Sequence, residues 1–408
     1  MILKLKYTKK INLEDILFII FLGIIVIGGI FNIIANKTYT EDSFTIGEWL
    51  INYQGGFVRR GFSGHIIYFL SSIFKISPIY LVWFVSVVSY IFLINESLKI
   101  AKDKVSNLFL LSPIIFLAPL VGNFLIRKDI LILLLFLINL KILKKDNPNL
   151  ILMQTINILG TLIHEVFAIF SFPIQIFIFW KKIKSKRKNF ITFANFLIPI
   201  FTFCLCLIFK GDNNQAIDIH NSWVNKSFLF PYENLNNQLP MGAINAISFD
   251  IKHVIDLLKD SLTDFKGIIW VPFAWFMTII LVSGIFLGDN SSKDSNLKSF
   301  ILFFQFLPFT LLCFSGWDYG RWIFIWILSS VLIYCSFKDE LKDLELDNRI
   351  LKYFNFLPLS ISSIELKNYS KILLGLFVYP HCCWSLYYLP SLLIFIIYSI
   401  LKSKKILT

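Results

Sequence analysis

The chain has 408 residues, of which 56% are hydrophobic and 16% charged, with a mean hydropathy of +0.71. Soluble domains carry about 25% charged residues, so this composition excludes an ordinary soluble globular protein and implies a surface that faces lipid over most of its area. The net charge of +13 would point to nucleic acid in a soluble chain. Here it reads as lysine-rich cytoplasmic loops, and no nucleic-acid partner is expected.

Apolar runs in chain order mark an all-α polytopic integral membrane protein, with about 11–12 transmembrane helices by the length criterion for spans. They lie at 16–35, 78–95, 106–125, 129–143, 149–163, 166–180, 189–209, 267–287, 299–314, 322–337, 371–386 and 388–402. Residues 1–408 form a single transmembrane domain, in which the first run follows a basic start without a small-residue cleavage site and is expected to be retained. The run 62–74 is the exception. As a helix it reaches only ~20 Å against a hydrocarbon core of ~30 Å, so it reads as an interfacial helix within the outer loop 36–77. The second sizeable outer loop is 210–266. Asparagines with Pro231 and Pro240 make its first half irregular, and from Ile247 apolar residues recur at Ile251, Val254, Ile255, Leu258 and Leu262, which is helical spacing for a surface-lying segment.

Charge orients the chain. With the N-terminus cytoplasmic and 62–74 not crossing, 27 of the 39 lysines and arginines fall inside. Counting 62–74 as a span would put the basic stretch 181–188 outside, against the positive-inside tendency. The same topology gathers the unusual polar clusters on the outer side.

The first and richest cluster is in loop 36–61. Glu41, Asp42 and Glu48 precede Gln54-Gly-Gly-Phe-Val-Arg-Arg-Gly-Phe-Ser-Gly-His65. Glycines let a backbone bring its N–H groups close to a ligand, and arginine forks match phosphate or carboxylate oxygens in pairs. Arg59 and Arg60, with His65 nearby, therefore read either as an anion site or as a tight turn paired to lipid headgroups. Arg127-Lys128-Asp129 falls between two apolar runs, where charge is costly unless paired or wet; a snorkelling pair with Asp129 capping the next helix is the alternative. His164-Glu165 ends a span and has no second histidine four residues on, so it is no zinc-protease motif. It is either a proton-accepting pair or a polar helix end. Asp318 and Arg321 flank a very short outer turn, as ligand contacts or as a pair with each other. His381 with Cys382 and Cys383 is too compact for a metal spacing and reads as packing. The six cysteines show neither metal-ligand nor scaffold spacing. No metal site and no cofactor is evident.

An outer loop that carries acidic residues after the first helix, followed by an interfacial helix, resembles the GT-C class of polytopic glycosyltransferases. The scattered outer arginines and the 210–266 loop also look like bacterial O-antigen polymerases and ligases. The first resemblance implies a polyprenyl-phosphate sugar donor and an acidic base among Glu41, Asp42 and Glu48. The second implies pyrophosphate binding by Arg59, Arg60, Arg127 and Arg321, with His164 or Glu165 activating the acceptor.

The expected function is sugar transfer from a lipid-linked donor to an envelope glycan or lipid acceptor, at the outer face of a bacterial inner membrane. Asp42, Glu48, His164 and Glu165 are the candidate catalytic residues; Arg59, Arg60, His65, Arg127, Lys128, Asp318 and Arg321 are the candidate binding residues. A transporter or flippase of a lipid-linked or anionic solute is the main rival. It would need polar positions near the midplane, of which Gln154 and Gln305 are the sequence candidates. A non-catalytic scaffold in an envelope assembly is the third reading.

Overall fold

The computed structural model describes residues 44–102, 104–105, 107–111, 115–121, 124–183, 187–224, 242–249, 295–315 and 318–341, with isolated positions at 23, 27, 252, 255–256, 279, 282–284 and 286–287. Every regular element among them is helical: α1 Ile46–Leu50, α2 Gly61–Phe74, α3 Pro78–Ala101, α4 Asn107–Leu110, α5 Ala118–Val121, α6 Asp129–Lys144, α7 Leu150–Ile163, α8 Val166–Lys182, α9 Lys188–Ile208, α10 Asn213–Val224, α11 Gly242–Asn245, a 3₁₀ turn Ala246–Ser248, α12 Ser295–Ser315 and α13 Tyr319–Leu341.

Four of these helices, α3, α9, α12 and α13, are long and apolar enough to cross a membrane. Large apolar side chains stay exposed on the outer members, among them Tyr80, Phe84 and Ile91 on α3 and Phe190, Phe201 and Ile208 on α9. Exposed apolar bands of this size are tolerated where lipid is the solvent. The chain is an all-α polytopic membrane protein. At its centre α13 is enclosed along its whole apolar length, packed by α12, α6, α3 and α8. Aromatic rings knit these helices together. Phe177 of α8 lies 5.4 Å from Phe304 of α12, and Trp326 of α13 lies 5.6 Å from Phe306 while its Nε1 donates to Leu302 O at 2.8 Å.

The interfacial helix expected at 62–74 is α2, 14 residues over Gly61–Phe74. Ile66, Phe69, Ile73 and Phe74 line one exposed side, while Ile67 and Ser71 are buried. Its close seat on the preceding segment depends on Gly64, where a Cβ would come within 1.9 Å of Ile51 O. The run 106–125 forms no single helix. Among the described residues only α4 and α5 are helical there, and Pro119, in the first turn of α5, has no N–H to continue a helix from the residues before it. Irregular backbone is tolerated at membrane depth where protein buries it. Ile115, Phe116 and Ala118 are buried and the Tyr90 hydroxyl donates to Phe116 O.

The first half of the 210–266 loop, expected to be irregular, contains the 12-residue helix α10. Its sequence reads as polar, yet Ala216, Ile219 and Trp223 form one apolar stripe that packs on Trp49, Leu50 and Ile51. Trp223 Nε1 donates to Leu50 O at 2.9 Å. α10, α11 and α1 thus cover one end of the bundle. The expected surface helix after Ile247, the runs 16–35, 371–386 and 388–402, and most of 267–287 lie outside the described residues. The opposite end carries ordinary helix-end chemistry. Lys182 donates to Leu143, Lys144 and Lys145 carbonyls, and Glu96 pairs with Lys99 and Lys141.

Candidate functional site: a buried charge network beneath the arginine loop

Loop 51–60 crosses the covered end of the bundle, and its local sequence fixes how the arginines are presented. Gly56 has φ +102, and Gly55 leaves no room for a Cβ against Gln215 of α10. Asn52, fully buried, donates to Ser222 Oγ at 3.0 Å and accepts from Gln54 N at 2.9 Å. Arg59 N donates to Phe209 O at 2.8 Å. Arg60 then sits at φ 66, ψ 1 as the residue preceding α2. A left-handed conformation is unusual for a side-chain-bearing residue and persists where its surroundings over-determine it.

The determinants here are contacts from distant helices. The Arg60 guanidinium clasps Glu165, its Nε lying 3.0 and 2.9 Å from the two carboxylate oxygens, with a further bond from Nη2 to Oε1. The Arg60 carbonyl accepts from Lys128 Nζ at 3.0 Å, and that ammonium also donates to Ile163 O at 3.3 Å. Lys128 is wholly buried, 5.9 Å above the Trp49 ring. It is therefore a strut joining the arginine loop to the α7–α8 turn, not a group that meets a ligand directly. Burial, opposed by the charge of Glu48, draws its pKa down to about 7.

Glu48 lies on α1 and is 1% exposed. His164 Nε2 is 3.0 Å from its Oε1, Arg60 Nη1 is 3.8 Å from the same oxygen, and Arg127 Nη1 is 3.5 Å from its Oε2. Arg127 Nη1 also donates to Phe44 O at 2.7 Å. Burial works against the Glu48 charge, but the His164 hydrogen bond and the Arg127 and Arg321 charges outweigh it and hold its pKa well below the ordinary carboxylate value. Glu165 is alike: burial opposes its charge, and Arg60 followed by His164 holds it ionised. Val166 N donates to His164 Nδ1 at 3.3 Å, so in the neutral ring Nε2 carries the proton toward Glu48. Nδ1 also lies 3.4 Å from Glu165 Oε2. The imidazole is thus bracketed by two carboxylates.

Asp129 and Arg321 join α6 to α13 by a two-pronged pair, with Nε at 2.6 Å from Oδ2 and Nη2 at 2.9 Å from Oδ1. Arg321 also reaches Asp318, the mutual pairing read as one alternative from sequence. The network therefore unites Glu48, Arg59, Arg60, Arg127, Lys128, Asp129, His164, Glu165, Asp318 and Arg321. His65 stands apart. It is exposed on α2 and packs on the Tyr53 ring at 5.5 Å. Glu41, Asp42, His381, Cys382 and Cys383 lie outside the described residues.

Two guanidiniums lie nearest the open side. The side chains of Arg59 and Arg60 are 20% and 26% exposed, against 1% for Glu48, 4% for His164 and 7% for Glu165. Arg59 is the less neutralised of the two. Its Nη1 is 3.6 Å from Glu165 Oε1, a carboxylate already clasped by Arg60, and its Nε meets no protein acceptor. Trp49, Asn52 and Trp223 hold the site together but were not distinguished by sequence. Their only signal was local: Glu48 and Asn52 stand four apart, with Trp49 between them. Comparison with protein-family models, curated proteins and solved structures finds no match. Fold and site define a multi-pass membrane protein with a buried ion-pair network at one end of its bundle.

Proposed function

We propose that the protein is a membrane glycosyltransferase, moving a sugar from a polyprenyl-phosphate or pyrophosphate donor to an envelope glycan or lipid at the outer face of the inner membrane. One observation carries this reading: the Arg59-Arg60 loop is docked onto Glu48, His164 and Glu165, so partly exposed cations and a proton-accepting group share one place. In this mechanism Arg59 and Arg60 hold the donor phosphate and offset the charge that grows on it as the sugar–phosphate bond breaks. The acceptor hydroxyl forms the new glycosidic bond and gives its proton to the Glu48–His164 pair. Arg60 lies across that pair at 3.8 Å from Glu48. A phosphate drawing Arg60 toward the open side would weaken that contact, leaving Glu165 to keep the arginine in place.

Chemistry at one end is favoured over passage across the membrane by what closes the far ends of α6, α7 and α8, beyond the buried Asn139, Asn157 and Gln175 midway along them. The buried side chains nearest their other ends, including Leu140, Leu143, Met153, Ile178 and Phe179, are apolar. The outer-face assignment and cytoplasmic N-terminus rest on the distribution of lysine and arginine. The test is surface glycan in cells carrying Arg59→Ala or Arg60→Ala at normal membrane levels. Loss of glycan is expected in both, and unchanged glycan in both would refute the assignment.

A further inference from the structure

Midway along the same three helices that carry Asp129, His164 and Glu165, three carboxamides converge. Asn139 of α6 donates through Nδ2 to Asn157 Oδ1 of α7 at 2.7 Å and to Gln175 Oε1 of α8 at 3.4 Å. All three residues are fully buried. At ~1.5 Å per residue they lie about 9–15 Å from the charged ends of their helices. Between them and the charge network come Thr161, whose hydroxyl is bonded to Asn157 O, and Ser171, one turn from Gln175 and also fully buried.

The triad does not satisfy itself. Asn139 Oδ1, Asn157 Nδ2, Gln175 Nε2 and Ser171 Oγ have no protein partner. Turning the amides over does not remove the deficit. If Asn157 and Gln175 donate to Asn139 Oδ1 instead, the remaining half of each amide is still unbonded. Leaving a buried donor or acceptor unmade costs more than an ordinary hydrogen bond gains, so the site calls for a small group that both donates and accepts. A monovalent cation finds no free carboxylate among the described residues of these three helices: Glu165 is clasped by Arg60 and Asp129 by Arg321. Water needs two to four polar partners, and this site offers them.

We propose that the α6–α7–α8 interface holds a blind cluster of bound water at Asn139, Asn157, Gln175 and Ser171, beneath the charge network. It reaches halfway through the bundle and ends on the apolar layer at Leu143 and Met153. Met153 lies one turn from Asn157 on the same helix face and is fully buried, which makes it a reporter. The experiment is X-ray radiolysis footprinting of the full chain in lipid nanodiscs, which oxidises side chains beside bound water. Met153 is expected to be oxidised in the wild type despite its burial. That oxidation is expected to be lost in a folded Asn139→Leu or Gln175→Leu variant, while exposed Phe57 of the arginine loop remains labelled. An unoxidised wild-type Met153 beside oxidised Phe57 would overturn the proposal, as would oxidation that persists in either folded variant. A melting temperature that rises when sodium or potassium replaces choline, and that loses this rise in the same variants, would assign the site to a cation and overturn it as well. None of these readouts involves sugar transfer.

Discussion

Arg321 holds two carboxylates in different surroundings, which allows burial to be weighed against charge. Asp129 is 1% exposed and meets the guanidinium with both oxygens, whereas the Asp318 side chain is 24% exposed and makes one contact. Removing one partner of a buried pair costs about 3–5 kcal/mol, because the remaining charge is left without compensation. Asp129→Asn keeps the shape, and Asp318 still faces Arg321, so the lower end, about 3 kcal/mol, is expected. Asp318→Asn breaks a half-open pair three residues apart on one turn, worth about 0–1 kcal/mol. The two variants should therefore differ by roughly two powers of ten in unfolding equilibrium. Denaturant unfolding of the purified protein in detergent, followed by tryptophan fluorescence, measures both. Equal destabilisation by the two replacements would refute the argument that burial of Asp129, and not its charge alone, anchors α6 to α13.

Other consequences follow from the same geometry. Gly64→Ala places a methyl 1.9 Å from a backbone carbonyl that cannot step aside, so little folded protein should survive, as read by thermal melting. Lys128 has its pKa drawn from 10.5 down to about 7 by burial, so between these values the unfolded chain binds a proton that the folded chain does not. Its contribution to stability is then present above 10.5 and lost as pH falls through 7. The melting temperature should rise with pH across that window, and Lys128→Met should flatten the rise.

Much of the bundle was legible because hydropathy alone delimits a span. The runs 129–143, 149–163 and 166–180 match α6, α7 and α8 within two residues at either end, and the shortness of 62–74 announced α2. The segment 106–125 has the hydropathy of a span but not its backbone: Pro119 has no N–H to give to the turn before it, and the Tyr90 hydroxyl serves the Phe116 carbonyl instead. α10 was hidden for the opposite reason, because its three-residue apolar stripe is diluted by Asn213, Asn214, Asp218 and Asn221. For the site, residue type identified Glu48, Arg60, His164 and Glu165, but not their union. The Arg60–Glu165 bond joins positions 105 apart, and no local pattern encodes which helix ends meet. Nor did sequence distinguish the strut role of Lys128 from ligand binding, a difference made by its complete burial. Asn139, Asn157 and Gln175 were invisible as a group for the same reason. Each is a single polar residue in an otherwise apolar run.

The central claim is that Arg59 and Arg60 present an anion site to a lipid-linked phosphate. Arg59 is the sharper probe, because its ion pair is long and partly open, so Arg59→Ala should leave the fold intact where Arg60→Ala removes the clasp on Glu165. Native mass spectrometry of the nanodisc-reconstituted protein titrated with polyprenyl phosphate measures binding directly. Retention of the phosphate lipid by the wild type, its loss in Arg59→Ala, and no retention of the corresponding uncharged polyprenol are predicted. Equal retention by wild type and Arg59→Ala, or equal retention of phosphate and alcohol, would contradict the claim.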